Sequence, residues 1–202
     1  MKTLLLFLTM IATISAFEAE SKDKMSIGDK ATYTDVEMKD VSGKMVSIDD
    51  VKNENGVLVL FSCNTCPFVM RWEDRYPEIK KWADKNKVGM IVLNSNYGNR
   101  DGADSFEAMK NKADDKDYNF YYVVDQDSRI ANAYGGQTTP HAFLFNGDGK
   151  LVYKGAVDDN YKSADQVSQA YLKDAIKSLG TGEEVAVTET KPVGCSIKRK
   201  MN

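Results

Sequence analysis

The chain has 202 residues, 27 basic against 30 acidic side chains for a formal charge of −3, and three cysteines. That length suits one domain of ordinary size and not two. Charges of both signs are mixed throughout, so no basic stripe marks a nucleic-acid partner, and the cysteines are too few for a disulfide-stapled scaffold.

Met1-Lys2-Thr3 precedes an almost wholly apolar run over 4–14 and then Ser15-Ala16. A basic start, an apolar stretch too short for a membrane span and a small-residue cleavage site form the pattern of a secretory signal peptide, residues 1–16. The cleaved protein is expected in the periplasm or outside the cell, without a stable membrane anchor. Residues 17–30 are polar and charged and read as a flexible leader. One domain is expected over 31–180, with 181–202 as an extended tail.

Within that domain, weak alternation over 31–38, a turn around Gly43 and a return strand over 45–48 read as a hairpin. Asp49 and Asp50 are placed to cap a short helical turn. Residues 57–61 form a continuously apolar, buried strand. A helix follows over 66–85, apolar at Phe68, Val69, Trp72, Tyr76, Ile79, Trp82 and Ala83. Pro77 lies inside it and should bend it near Glu73. Next come a strand over 88–93, a helix from an Asp104 cap through Ala113, and a strand over 120–124. A short helix capped by Asp127 ends at Gly135-Gly136. Strands over 142–145 and 151–154 flank the turn Asn146-Gly-Asp-Gly149. A capping box from Ser163 to Gln166 should open a last helix that ends before Gly180. Strand–helix alternation gives a parallel core, and the closing hairpin adds antiparallel strands: an α/β mixed sheet flanked by helices.

The chemistry centres on Cys63-Asn64-Thr65-Cys66, directly after the buried strand. Two intervening residues on the first turn of a helix bring the sulfurs within bonding reach. The helix N-terminus favours a thiolate, the species that attacks disulfides. A bridge across so short a loop removes little unfolded-state entropy, so the pair reads as a working centre and not a staple. Cys63 is expected at the exposed junction as nucleophile, with Cys66 one turn deeper as resolving thiol; Asn64 and Thr65 bring no charge. Glu73 and Asp74 read as a solvated face, with a proton relay as the other reading. Phe68, Trp72 and Tyr76 read as core before groove.

His141, the one histidine, follows Pro140 and should lie near the sulfurs. It is a plain neighbour of the site, a tuner of Cys63, or the third ligand of a soft copper site with Cys63 and Cys66. Cys195 is either a second resolving thiol folding back onto Cys63 or a tail cysteine docked on the surface. The expected substrate is a protein or small-molecule disulfide or dithiol, served by an external electron donor or acceptor, with no cofactor.

A strand ending in C-x-x-C upstream and Thr139-Pro140 before an antiparallel strand downstream resemble the thioredoxin superfamily. Phe61-Ser-Cys-Asn-Thr-Cys-Pro-Phe-Val69 is similar to the F-T-C-N-x-C-P-Y-V signature of a peroxiredoxin-like redoxin subgroup carrying a C-N-x-C-P motif. Val92-Leu-Asn-Ser-Asn96, Ala133-Tyr-Gly135, Leu151-Val-Tyr-Lys-Gly155, Asp158-Asp159 and Pro192-Val-Gly-Cys195-Ser-Ile-Lys198 match it too, so the resemblance covers about residues 25–200. It implies a thioredoxin-like fold with an N-terminal hairpin extension, and thiol redox activity. It also implies a cis Pro140 against the C-x-x-C, turning the Thr139 backbone to where an incoming peptide can pair like an added strand.

Departures are specific. True peroxiredoxins resemble one another in P-x-x-x-(T/S)-x-x-C, and here Leu60 stands where the hydroxyl residue would precede Cys63. Thioredoxins proper resemble one another in W-C-G-P-C with a buried Asp before it; here Ser62 and Val57 stand in those places. The expected function is an exported thiol-disulfide oxidoreductase. A peroxiredoxin-like thiol peroxidase and a copper-binding or copper-delivery protein are the alternatives. Copper-delivery relatives space their cysteines C-x-x-x-C, and the nine methionines here form no cluster.

Overall fold

A computed structural model describes residues 24–200; the expected signal peptide and the first half of the expected leader, 17–23, lie outside the described residues. The chain opens with a hairpin, β1 (Met38–Lys39) and β2 (Met45–Val46), then α1 (Ile48–Val51). There follow β3 (Gly56–Ser62), α2 (Pro67–Trp72), a 3-10 turn at Glu73–Arg75, α3 (Tyr76–Lys85), β4 (Val88–Asn94), α4 (Phe106–Asp115), β5 (Tyr121–Val124) and α5 (Arg129–Tyr134). The chain closes with β6 (Thr138–Thr139), β7 (His141–Asn146), β8 (Leu151–Gly155), α6 (Tyr171–Thr181) and β9 (Cys195–Ser196).

The central sheet runs β5-β4-β3-β7-β8. Strands β3, β4 and β5 are parallel, and β7 and β8 are antiparallel to their neighbours. This is the thioredoxin-like mixed sheet with an N-terminal hairpin. Every residue of β3 is buried. Leu58 and Leu60 pack on one side with Trp72, Tyr76, Met90 and Leu144; Val57, Val59 and Phe61 pack on the other with Ile91, Ile130, Tyr134 and Phe143. A strand covered on both faces has no polar side to show, which is why its sequence is a continuous apolar run. Gly89 interrupts the next run because a Cβ there would lie 1.9 Å from the Val51 carbonyl oxygen.

Pro77 acts as expected. It sits in the first turn of α3, where its missing N–H leaves nothing unpaired, and the chain before it tightens at Glu73–Arg75. The expected caps are displaced by a residue or two. Ser47 caps α1 in a capping box with Asp50. Ser105, not Asp104, caps α4 by accepting the Ala108 N–H. The N–H groups of Ile130 and Ala131 go to Asp125, not to Asp127, whose φ is +57°. The Ser163 capping box is absent: Ala164–Gln166 is a single 3-10 turn that Val167 ends with extended backbone, and α6 starts at Tyr171 and ends on a left-handed Gly182, beyond Gly180.

The described part of the expected leader and that of the expected tail are both docked. Met25 is buried and donates its N–H to Tyr134, while Gly28 and Asp29 pair with Leu151. In the tail, Thr188 and Thr190 pair with the Lys154 backbone, β9 pairs with β6, and Ile197 is buried. Among the described residues no helix is long and apolar enough to cross a membrane.

Candidate active site

Strand β3 delivers Cys63 at its C-terminal end, and Cys66 is the N-cap of α2. The sulfur-bearing residues are 3% and 4% exposed, which corrects the expectation of an exposed Cys63 above a deeper Cys66. The two thiols are free and lie in one buried cluster with Val69, so their ionisations are linked. Strand β6 crosses them: Cys63 Sγ lies 3.1 Å from Thr139 Oγ1, and the Cys66 thiol donates to the Thr139 carbonyl at 3.1 Å. The Thr139–Pro140 peptide is cis. Cys63, Cys66, Thr139 and Pro140 therefore come together as the sequence suggested.

Two buried thiols in one cluster split each other's ionisation. The first proton leaves the pair below the ordinary thiol range, because the remaining S–H stabilises the thiolate; burial and that first charge hold the second proton well above it. The Thr139 hydroxyl lies against Cys63 and lowers its pKa. The helix begins at Pro67 and not at Cys63, so its field acts most strongly on Cys66, contrary to expectation.

Asn64 is more than an uncharged spacer. Its N–H donates to Asp104 Oδ1 at 2.8 Å, its Nδ2 to the Ala103 carbonyl at 2.8 Å, and its Oδ1 accepts the Tyr122 hydroxyl at 2.8 Å. Asp104 is fully buried and also accepts from Asn94 at 2.8 Å and Asn96 at 3.0 Å. Lys112 donates to the Asn64 carbonyl at 3.3 Å and pairs with Glu73 at 2.7 Å. Glu73 is 3% exposed and paired with Lys112 and Lys116, which corrects its reading as a solvated face; Asp74 is exposed. Thr65 is exposed at the tip of the loop.

Asp104, Asn94, Asn96, Tyr122 and Lys112 are thus parts of the site that sequence reasoning missed. The available signal was Asn94-Ser-Asn96: two amides at the end of a buried strand must find partners.

His141 is buried with its Nδ1 accepting the Gln137 N–H at 3.1 Å and its ring 4.6 Å from that of Phe143. Burial and Lys154 push its pKa down to about 3. It faces a cavity lined by Lys24, Gln137, Lys154 and Glu189, not the sulfurs. That corrects its placement beside Cys63 as neighbour or tuner. Among the described residues no cluster of His, Cys, Asp and Glu could hold a metal, which overturns the copper set of Cys63, Cys66 and His141.

Cys195 reaches the site, but at Cys66 and not at Cys63. Its strand pairs Cys195 with Thr139, and burial together with the neighbouring Cys66 thiol holds its pKa up at about 11. Trp72 and Tyr76 are core, as read, with the Trp72 indole N–H donating to Asp158 at 2.9 Å. Half-buried Phe68 packs on the sulfur cluster. Leu60 and Val57 are core residues, so neither supplies a hydroxyl or a carboxyl to the sulfurs.

Comparison with known proteins agrees with this frame. The Redoxin family matches residues 26–171. The thiol-disulfide oxidoreductase ResA of Bacillus cereus is 30% identical over 137 residues, 66% of this chain and 71% of that protein. An uncharacterized conserved protein from Geobacillus kaustophilus superposes with a TM-score of 0.81 at 30% identity, over 88% of this chain and 94% of the other. A hypothetical protein from Sinorhizobium meliloti 1021 does so with a TM-score of 0.80 at 26% identity, over 89% and 97%.

Proposed function

The chain belongs to the redoxin family and is a thioredoxin-like oxidoreductase, and from that premise we propose that Cys63 and Cys66 are its working centre, cycling between dithiol and disulfide. One observation carries the reading: two buried free thiols in one cluster, with both functional groups of a single residue, Thr139, laid across them. The thiol-disulfide oxidoreductase activity named for the Bacillus cereus relative is the same chemistry.

The thiolate of the pair attacks one sulfur of a substrate disulfide. That S–S bond breaks, and the other substrate sulfur leaves as a thiolate and takes up a proton. The second thiol of the pair then attacks the mixed disulfide, closing Cys63–Cys66 and releasing the remaining substrate thiolate. Two electrons pass to the substrate, and an external dithiol returns them; the reverse direction balances equally. The bonds from Asp104, Tyr122 and Lys112 to Asn64 hold the loop, so the pair opens and closes on a fixed frame. The substrate is a protein or small-molecule disulfide or dithiol, and its counterpart an external electron donor or acceptor. The signal-peptide pattern of residues 1–16 supports placing this chemistry outside the cytosol, where disulfides persist.

Insulin reduction driven by a chemical dithiol tests the reading. The wild type should turn over, and Cys63→Ser and Cys66→Ser should each lose activity. Absence of turnover by the wild type above the uncatalysed rate overturns the proposal. The same variants fix the order of attack: the one that traps substrate as a mixed disulfide retains the attacking sulfur.

A further inference from the structure

We propose that β9 is a resident stand-in for a substrate strand, and that Cys195 is a third redox thiol that takes the disulfide over from Cys63 by bonding to Cys66. The inference rests on the dithiol reading above and adds the route by which oxidising equivalents leave a covered site.

The placement of Cys195 is built into the fold. Strand β9 pairs antiparallel with β6 in the register Thr138 to Ser196 and Thr139 to Cys195. That edge is the one bearing both Thr139 contacts to the sulfurs. Cys195 packs against the buried cluster that holds Cys63 and Cys66. The strand lies flush because residue 194 has no side chain: a Cβ on Gly194 would stand 2.2 Å from the Thr139 carbonyl oxygen. The register is pinned just beyond, where the Ile197 N–H donates to Gln137 and the Lys198 N–H to Asn96 Oδ1. A slip of one residue would turn Cys195 to the opposite face. The three thiols Cys63, Cys66 and Cys195 therefore gather in one cluster.

Exposure distinguishes the three sulfurs. Cys63 and Cys66 are 3% and 4% exposed, and β9 occupies the pairing edge of β6. With β9 docked, half-buried Cys195 is the sulfur that an incoming dithiol meets first. In the transfer step the Cys195 thiolate attacks Cys66 Sγ. The Cys66–Cys195 bond forms, the Cys63–Cys66 bond breaks, and Cys63 leaves as a thiolate that takes up the proton Cys195 released. No electrons are gained or lost, so no oxidant is needed beyond the substrate that made the first disulfide. The external dithiol then attacks at Cys195, and two electrons restore both thiols.

Oxidation of full-length Cys63→Ser with diamide, followed by alkylation and peptide mass mapping, tests the proposal. The expected result is a monomer with a Cys66–Cys195 link and loss of both free thiols. Two thiols that stay alkylatable, or links only between molecules, overturn it. Oxidised wild type quenched in acid should show both Cys63–Cys66 and Cys66–Cys195, and Gly194→Val should show the first without the second. Wild type that reduces insulin through Cys63–Cys66 yet never shows Cys66–Cys195 sinks this inference alone. Wild type that fails to reduce insulin sinks the dithiol reading instead.

Discussion

Replacing Asp104 with Asn removes one charge and one acceptor from beneath the C-x-x-C loop and leaves the volume unchanged. Oδ1 of Asp104 accepts from the Asn64 N–H and from Asn94, both at 2.8 Å, and Oδ2 accepts from Asn96 at 3.0 Å. An amide has one oxygen, so at least one buried donor comes to face an NH2 group. Stranding a buried donor costs about 1–3 kcal/mol, and bonds to an ionised acceptor are about twice as strong as neutral ones, so the variant should lose about 2–4 kcal/mol. The Asp104 charge also helps hold the Cys63 thiol up, so its removal should lower that thiol and raise the rate of alkylation at neutral pH. Urea unfolding and iodoacetamide kinetics read the two effects separately. A variant within about 0.5 kcal/mol of the wild type, the usual range for a surface change, with unaltered alkylation would refute the claim that Asp104 holds and tunes the loop.

Thr139→Val removes the hydroxyl 3.1 Å from Cys63 Sγ, an interaction that lowers the thiol; Cys63 should then ionise at higher pH, seen as a shifted pH profile of alkylation. His141 is held neutral by burial, with a pKa of about 3 against 6.5 when unfolded. The unfolded chain binds the extra proton between those values, so this stability is complete above pH 6.5 and is lost as pH falls toward 3, up to about 5 kcal/mol. His141→Phe should flatten that part of the acid-unfolding curve. Lys112→Met leaves buried Glu73 facing Lys116 alone and should cost about 3 kcal/mol in denaturant unfolding, the scale for breaking a buried ion pair.

The elements with a strong local signature were legible. Strand β3 announced itself because burial on both faces leaves only apolar side chains, and Pro77 marked the break between α2 and α3. Helix starts were less so. Asp104, Asp127 and Ser163 all have cap chemistry, but whether a side chain caps depends on where its backbone points, and Asp104 is turned inward to a loop forty residues earlier in the chain. The Cys63/Cys66/Thr139 constellation was readable because its parts are motif-bound. The placement of His141 was not: its ring packs beside Phe143 and lines the cavity with Lys154 and Glu189, contacts that adjacency to Pro140 in the sequence does not reveal. The tail looked free because its contacts are backbone pairings with distant strands, which leave no periodic pattern in the tail itself.

The central claim is that Cys63 and Cys66 exchange one covalent bond for two thiols within an unchanged fold. Equilibration of the Cys195→Ser variant across glutathione buffers, with alkylated thiols counted by mass at each potential, measures this directly. The account predicts a single reversible transition in which Cys63 and Cys66 lose their thiols together, with secondary structure constant by circular dichroism. Thiols that are lost independently, or that stay free across the whole range, would contradict it.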